Sequence, residues 1–285
     1  DGSAKERPLG HAVRLRLRPQ APLRVFLCGH LDTVFAADHP FQKATQREAD
    51  TLHGPGVADL KGGFLVMLLA LQALERSPWK NQIGWEVLMN PDEEIGSQSS
   101  APLLAEAAKR NHFGLVYEPA LPDGNLASSR KGSGNFDVIV KGRAAHAGRD
   151  HHLGRNAIRA AADFISALDA LNGTRADLTI NPGYVRGGGA LNIVPDTCVF
   201  KFNVRTSEIA DQTWMQEQLD LLLTQAEREG IHFELRGGFT RPPKLFDAKT
   251  QQLAAMIADC GKSLGLDLQF KPTGGCCDGN NLAAH

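Results

Sequence analysis

The sequence lacks long apolar runs, a surplus of charge of either sign and a regular cysteine pattern. No apolar stretch approaches the roughly 20 residues of a membrane-spanning helix, and no signal peptide opens the chain. The 31 Lys and Arg residues nearly balance the 32 Asp and Glu residues, without a basic block of the kind that binds nucleic acid. We therefore expect a soluble protein with no membrane and no nucleic-acid partner.

The cysteines indicate the cellular compartment, and the first residues bear on whether the natural start of the chain is included. Five cysteines, without the spacing of a zinc motif, argue against a disulfide framework. Reduced thiols indicate a cytoplasmic protein, with a periplasmic location as the alternative if a signal peptide has been removed. The chain begins Asp1-Gly2-Ser3 rather than with methionine, so we expect its natural beginning to be missing.

A length of 285 residues is sufficient for two domains. Short β-rich runs alternate with helical stretches up to about residue 130, which predicts an α/β sheet of four strands flanked by helices. From 132 the order β-α-β-β-α-β predicts a ferredoxin-like α+β domain, and a helix over 248–264 and a strand over 266–270 then return to the first pattern. The predicted domains are 1–131 (catalytic, first part), 132–240 (inserted) and 241–285 (catalytic, second part).

Acidic and histidine residues follow the predicted strands of the first domain. The densest group is Glu93-Glu94, on a turn directly after the apolar run 83–89. His30 and Asp32 follow the run 23–28 and face the same way on an extended backbone, and Asp59 lies among glycines before a helix. Glu118 ends the next strand. The ordinary alternatives are a solvated acidic turn for the two glutamates, a histidine at a strand end for His30 and a helix-capping aspartate for Asp59.

Taken together, these side chains predict a metal centre at one edge of the sheet. His30, Asp59, Glu94 and Glu118 form a nitrogen and oxygen donor set that suits zinc, with cobalt or manganese as alternatives. One bridging carboxylate would hold two metals roughly 3.5–4 Å apart, sharing a hydroxide nucleophile. Glu93 is then the natural general base, and Asp32 would orient the imidazole. This chemistry favours hydrolysis of an amide.

The chain resembles the M20 metallopeptidases from about Leu23 onward, and most closely their carboxypeptidase G2-like branch. The matching motifs, in the family's order, are 29–34, 54–63, 92–97, 117–119, 142–148 and 192–195. The resemblance implies a zinc-exopeptidase-like catalytic sheet flanked by helices, with an inserted lid and dimerisation domain. It also implies two zinc ions per chain and a cis peptide bond between Asp59 and Leu60.

The resemblance implies a role for each matching residue. His30 and Glu118 would bind one zinc, Glu94 would help bind the second, and Asp59 would bridge them. Glu93 would be the general acid and base, and Asp32 would orient His30. The inserted domain would form a homodimer, in which His146 and Asn192 complete a site, often across the subunit boundary. The alternative for His146 is an ordinary exposed loop histidine.

Further positions match the way the carboxypeptidase branch holds a substrate carboxylate. Arg205 and Arg241 would form paired hydrogen bonds with it, helped by backbone N–H groups of Gly274 and Gly275. Either arginine has a surface ion pair as its alternative. The implied substrate is a small peptide or an N-acyl amino acid.

Two parts of the family pattern are not found in this sequence. The family has a longer helical segment before the first strand and a last metal-binding histidine some twenty residues after the glycine-rich loop. His285 falls too early for that position and is not assigned as a ligand. We expect a segment of a longer protein, and metal sites that are empty or partly filled are compatible with that expectation.

Three other functions remain open on the sequence. A di- or tripeptidase and a deacetylase of the same family differ from the main hypothesis in whether Arg205 and Arg241 meet a substrate carboxylate. A non-catalytic binding homologue is the third, and the presence of Glu93 argues against it.

Overall fold

The computed structural model describes residues 9–285, which divide into two compact units. The first unit ends at Ser129 and resumes at Phe246, and the second runs from Arg130 to Leu245. The boundaries expected from the sequence were 131/132 and 240/241. Residues 1–8 of the expected first domain lie outside the described residues.

The first unit contains strands and helices from both ends of the chain. Its strands are β1 (Val13–Leu17), β2 (Leu23–His30), β3 (Thr45–Glu48), β4 (Thr51–His53), β5 (Ile83–Asn90), β6 (Phe113–Val116), β7 (Leu126–Arg130) and β12 (Phe270–Thr273). Its helices are α1 (Gly62–Arg76), α2 (Ala101–Arg110), α5 (Ala248–Ser263) and α6 (Asp278–Ala283). The main sheet has the order β1-β5-β2-β6. Strands β5, β2 and β6 run parallel, so their carboxyl ends meet at one edge, and β1 is antiparallel.

Strand β2 is apolar at successive positions because both faces of the sheet are covered. Phe26 and Cys28 pack with Leu104 of α2 on one face. Leu27, on the other face, packs with Met67 of α1. Side chains alternate along a strand, so one short apolar run supplies two cores and fixes the strand's position. The backbone at the carboxyl end of β2 is fixed with it.

The predicted sheet differs from the observed one at Asp59. The sequence predicts that a fourth sheet strand precedes this residue, and that prediction is wrong. The preceding strands, β3 and β4, form a separate two-stranded hairpin whose residues are all exposed. The hairpin is too polar to replace a buried strand, and the fourth strand of the sheet is β1.

One segment within residues 9–285, Val57–Arg76, has the length and apolar composition of a membrane-spanning helix. The regular helix in it, α1, has 15 residues, about 22 Å at 1.5 Å per residue. That length is shorter than the roughly 30 Å of a bilayer core. Met67 of α1 is buried against the sheet. We therefore interpret α1 as a sheet-packed helix with an apolar outer face.

The second unit has the ferredoxin-like topology that the sequence predicts. Its elements are β8 (Gly132–Lys141), α3 (Ala157–Asp169), β9 (Thr179–Gly187), β10 (Thr197–Thr206), α4 (Ile209–Ala226) and β11 (His232–Arg241). The sheet is antiparallel, in the order β11-β8-β10-β9. Stacked rings of Phe136 and Phe202, 4.9 Å apart, lie in the core that also contains Phe164 of α3 and Met215 of α4.

The strand predicted over 266–270 is also wrong, because β12 begins at Phe270. The preceding residues close the end of α5. Gly265 adopts a left-handed backbone conformation (φ 76°) and Leu266 N–H donates to the Gly261 carbonyl at 2.9 Å. Leu268 lies next to Gly261 of α5, so this segment belongs to the helix end rather than to a strand.

Candidate metal centre

The carboxyl ends of β2, β5 and β6 deliver three of the predicted ligands to one edge of the first unit. His30 is the last residue of β2 and is only 1% exposed. Glu94 follows β5, and Glu118 lies two residues after β6. Asp59 reaches the same place from the turn before α1, and the Asp59–Leu60 peptide bond is cis, as expected.

His30 is held from both sides by carboxylates. Its Nε2 lies 2.9 Å from Asp59 Oδ1 and 4.0 Å from Glu118 Oε1. On the other side of the ring, Nδ1 lies 3.4 Å from Asp32 Oδ1 and 3.0 Å from the Asp32 carbonyl oxygen. A carboxylate behind the second nitrogen is the usual arrangement that orients a metal-bound imidazole.

Asp32 also fixes the turn that carries the two glutamates. Its Oδ1 accepts the Glu93 N–H at 3.2 Å, and its Oδ2 accepts the Glu94 N–H at 2.9 Å. One carboxylate therefore orients the imidazole and sets the backbone of both glutamates. Burial opposes ionisation of Asp32, but the bonds with His30 and Glu94 outweigh it and lower its pKa.

The carboxylates around His30 favour a positive charge at this site. Burial alone would lower the pKa of His30, but the Asp32 bond and the charges of Glu118 and Glu93 raise it to about 10. Burial and then the nearby Asp59 carboxylate raise the pKa of Glu94. A divalent cation would relieve the repulsion between these carboxylates and displace the imidazole proton.

The donor atoms fit a metal ion. One atom each from His30, Asp59 and Glu94 lie within 4.8 Å of one another. An imidazole nitrogen with carboxylate oxygens suits zinc, cobalt or manganese. Gly63 permits this close assembly, since a Cβ there would overlap the carbonyl oxygen of Tyr117, next to Glu118.

The other predicted site residues lie in the second unit or in the loop after β12. The segments of His146 and Asn192 are paired, with the Ala147 N–H donating to the Asn192 carbonyl at 2.9 Å. His146 Nδ1 accepts the N–H groups of Gly148 and Arg149, each at 3.2 Å. The neutral ring therefore holds its proton on Nε2, in the form of a hydrogen-bond donor.

Arg205 and Arg241 flank one residue of β8. Both pair with Ser133, from β10 and β11 respectively, so their Cα atoms are two strand spacings, about 10 Å, apart. In the first unit, Gly274 and Gly275 lie in the loop between β12 and α6. The Gly275 N–H makes a long bond, 3.4 Å, to Thr273 Oγ1.

Two residues that were not expected from the sequence, Asp92 and Asn203, also hold predicted site residues in place. Asp92 is fully buried and accepts hydrogen bonds from Ser99 and Ser100 at 2.5–3.2 Å. Asn203 donates to Asn135 and accepts from Arg205 Nε, each at 2.8 Å. Asn203 and Arg205 are two residues apart on β10 and therefore lie on the same face of the sheet. This spacing, visible in the sequence, could have indicated Asn203. No local pattern indicates Asp92.

Known proteins are similar to this chain in sequence. Residues 128–231 match the M20 peptidase dimerisation domain. The chain is 30% identical over 204 residues to carboxypeptidase G2 of Pseudomonas sp. (strain RS-16), a match covering 71% of this chain and 49% of the relative. It is 27% identical over 282 residues to succinyl-diaminopimelate desuccinylase of Dechloromonas aromatica (strain RCB), covering 92% and 73% respectively. The chain thus spans about half the length of the first relative.

Solved structures share the fold. The aminopeptidase PepT of Bacillus cereus has a TM-score of 0.75 at 20% identity, over 96% of this chain and 73% of that one. An M20 family metallo-carboxypeptidase of Sulfolobus solfataricus has a TM-score of 0.74 at 19% identity, over 95% and 76%. The chain is a homologue of metal-dependent hydrolases. Both kinds of comparison relate it to the M20 metallopeptidases and amidohydrolases.

Proposed function

We propose that the protein hydrolyses an amide or peptide bond next to a free carboxylate, as a carboxypeptidase or an N-acyl amino acid amidohydrolase. The observation that carries this proposal is the buried His30, with Asp32 behind Nδ1 and Asp59 and Glu118 facing Nε2. The similarity to carboxypeptidase G2 over 71% of the chain supports the choice of this branch.

In the proposed mechanism, His30, Asp59, Glu94 and Glu118 would hold two zinc ions, with Asp59 as a ligand of both. Bound zinc supplies Lewis-acid polarisation of the substrate carbonyl and acidifies water. Asp32 keeps the imidazole in one orientation and the glutamate turn in one conformation. The ligands of the metal are therefore positioned before substrate binds.

Glu93 is the proposed general base. Its carboxylate takes a proton from the attacking water as the new C–O bond forms, and returns it to the amine as the C–N bond breaks. His146 Nε2–H is the proposed donor to the oxyanion, because Nδ1 is already an acceptor of backbone N–H groups. Asn192 is assigned to the same subsite. We further propose a homodimer formed by the second unit, which the dimerisation-domain match supports.

Arg205 and Arg241 are the proposed anchors for the substrate carboxylate, with the Gly274–Gly275 loop. The test is a matched pair, an N-acyl amino acid and the same compound with its carboxylate converted to an amide. We expect kcat/KM to be on the order of 100-fold higher for the free acid, the worth of a charge-assisted hydrogen-bonded pair.

The same pair of compounds, together with other substrates, distinguishes the alternative functions. Equal turnover of acid and amide would contradict a carboxylate-binding role for the two arginines. A requirement for a free amino terminus instead would favour a di- or tripeptidase, and turnover limited to acetyl groups would favour a deacetylase. Zinc uptake without hydrolysis of any peptide or acyl amino acid would favour a binding homologue.

Asn203→Ala is expected to weaken binding of the carboxylate without slowing the chemical step. Asn203 Oδ1 accepts Arg205 Nε and fixes the guanidinium plane, and its Nδ2 donates to Asn135 and to the Gly134 carbonyl. Losing one charge-assisted bond of this kind costs about 1.5 kcal/mol, so KM for the free acid should rise about 10-fold. The kcat value should change less than twofold.

The matched control for this variant is Asn181→Ala. Asn181 is exposed on β9 and pairs with Asn203 across the sheet, so the same side chain is removed without the Arg205 contact. We expect its KM to stay at the wild-type value. A lower kcat at unchanged KM in Asn203→Ala would contradict the proposed positioning of Arg205.

A further inference from the structure

A buried carboxylate from α6 lies beneath the glutamate turn. Asp278 is 1% exposed, although it is 181 residues from the turn in sequence. Its Oδ1 accepts the Ser97 hydroxyl at 2.5 Å, and its Oδ2 accepts Asn90 Nδ2 at 2.9 Å. The Cys28 thiol lies 3.7 Å from Oδ2. One side chain of α6 thus joins β2, β5 and the end of the turn.

The partner residues of Asp278 belong to the turn's own framework. Asn90 is the last residue of β5, and its Nδ2 also donates to Ser100 Oγ at 2.9 Å. Ser100 Oγ in turn donates to Asp92, just before the glutamates. The buried network therefore runs from α6 through the strand end to the start of the turn.

Ser97 is the second point where Asp278 acts on the turn. It has a left-handed backbone conformation (φ 55°), which residues other than glycine adopt infrequently. Its N–H donates to the Asp92 carbonyl at 2.7 Å, which closes the segment that contains Glu93 and Glu94. The hydroxyl bond to Asp278 holds this residue in the conformation that closure requires.

We propose that Asp278 is a positioning residue for the metal centre, which holds the Glu93–Glu94 turn in its ligating geometry through Ser97 and Asn90. The inference rests on the proposed function for its consequence in metal binding. The positioning of the turn itself can be measured without metal. The bonds of Asp278 to Ser97 and Asn90 lead to the backbone of the turn, so we expect its effect to pass through that backbone.

The first test is hydrogen exchange of the backbone amides of residues 93–97 in metal-free protein, comparing wild type with Asp278→Asn and Ser97→Ala. Removing the carboxylate or its hydroxyl partner should let the turn open locally, so we expect these amides to exchange about 10-fold faster. Amides of α5 serve as the internal reference, and Asp259→Asn, an exposed aspartate on α5, is the matched control. Unchanged exchange at 93–97 in both variants would overturn the inference.

The second test is the zinc dissociation constant of the same proteins by titration calorimetry. Supporting groups around a metal site typically contribute 10- to 100-fold in metal affinity, and we expect a loss of that order in Asp278→Asn, with no loss in Asp259→Asn. The double variant with Ser97→Ala should lose little more zinc affinity than Asp278→Asn alone, because each single substitution already removes the bond between Ser97 and Asp278. Fully additive losses would overturn action through Ser97.

The two tests separate this inference from the proposed function. Faster exchange of the turn in a protein whose wild type takes up no zinc would overturn the proposed metal centre and support the positioning role. Normal zinc uptake with unchanged exchange would overturn the positioning role alone. If Asp278→Asn exchanges quickly throughout the first unit, Ser97→Ala, which removes only a hydroxyl, decides the outcome.

Discussion

Asp59→Ala is expected to remove bound metal and to lower kcat/KM by at least about 100-fold, because the proposed shared ligand of both metals is lost. The carboxylate lies 2.9 Å from His30 Nε2 and is within the donor cluster with Glu94. Its side chain is 51% exposed, so its removal should leave the fold intact. Metal content by elemental analysis and thermal unfolding of the metal-free protein measure the two effects separately.

The matched control is Asp50→Ala, an exposed aspartate in the turn between β3 and β4. It should keep wild-type metal content and activity. If Asp59→Ala also kept both, Asp59 would not be a metal ligand and the assignment of the centre would be wrong. A loss of folded structure in the metal-free variant would instead make the residue structural.

Glu93→Gln is expected to lower kcat by about 10²–10⁴-fold, the range that general acid–base catalysis contributes. The amide side chain keeps the size of the carboxylate but cannot accept the proton of the attacking water. Metal content should stay at the wild-type level, because the proposed ligand is Glu94. The measurement is steady-state kinetics with the N-acyl amino acid, on protein of known zinc content.

Glu106→Gln provides the control for this substitution. Glu106 is on the surface of α2, in an ion pair with Arg110, and its loss should leave kcat within twofold. An active Glu93→Gln variant would contradict the assignment of the base. A variant that lost its metal would identify Glu93 as a ligand instead.

The parts of the site that the sequence predicted are those with a local signature. An apolar strand followed at once by His30, or by Glu93 and Glu94, places the side chain at the strand end whatever the rest of the fold does. The β-α-β-β-α-β order of the second unit is similarly a matter of local periodicity. These local features account for the parallel strands and the ferredoxin-like topology.

The parts that the sequence did not predict depend on contacts between distant residues. Asp278 meets Ser97 across 181 residues of sequence, and only the folded chain shows that a helix start supports the glutamate turn. A sheet strand was expected before Asp59 because strand and hairpin segments have the same β-forming residues. The choice between them depends on burial, which tertiary packing determines.

The zinc content of the protein tests most directly whether this edge of the first unit is a zinc centre. The protein would be stripped with a chelator, dialysed against zinc and analysed by elemental analysis beside its Asp59→Ala variant. We expect about two zinc ions per chain in wild type and a clear loss in the variant. Zinc at the buffer level in wild type, or equal zinc in both proteins, would contradict this expectation.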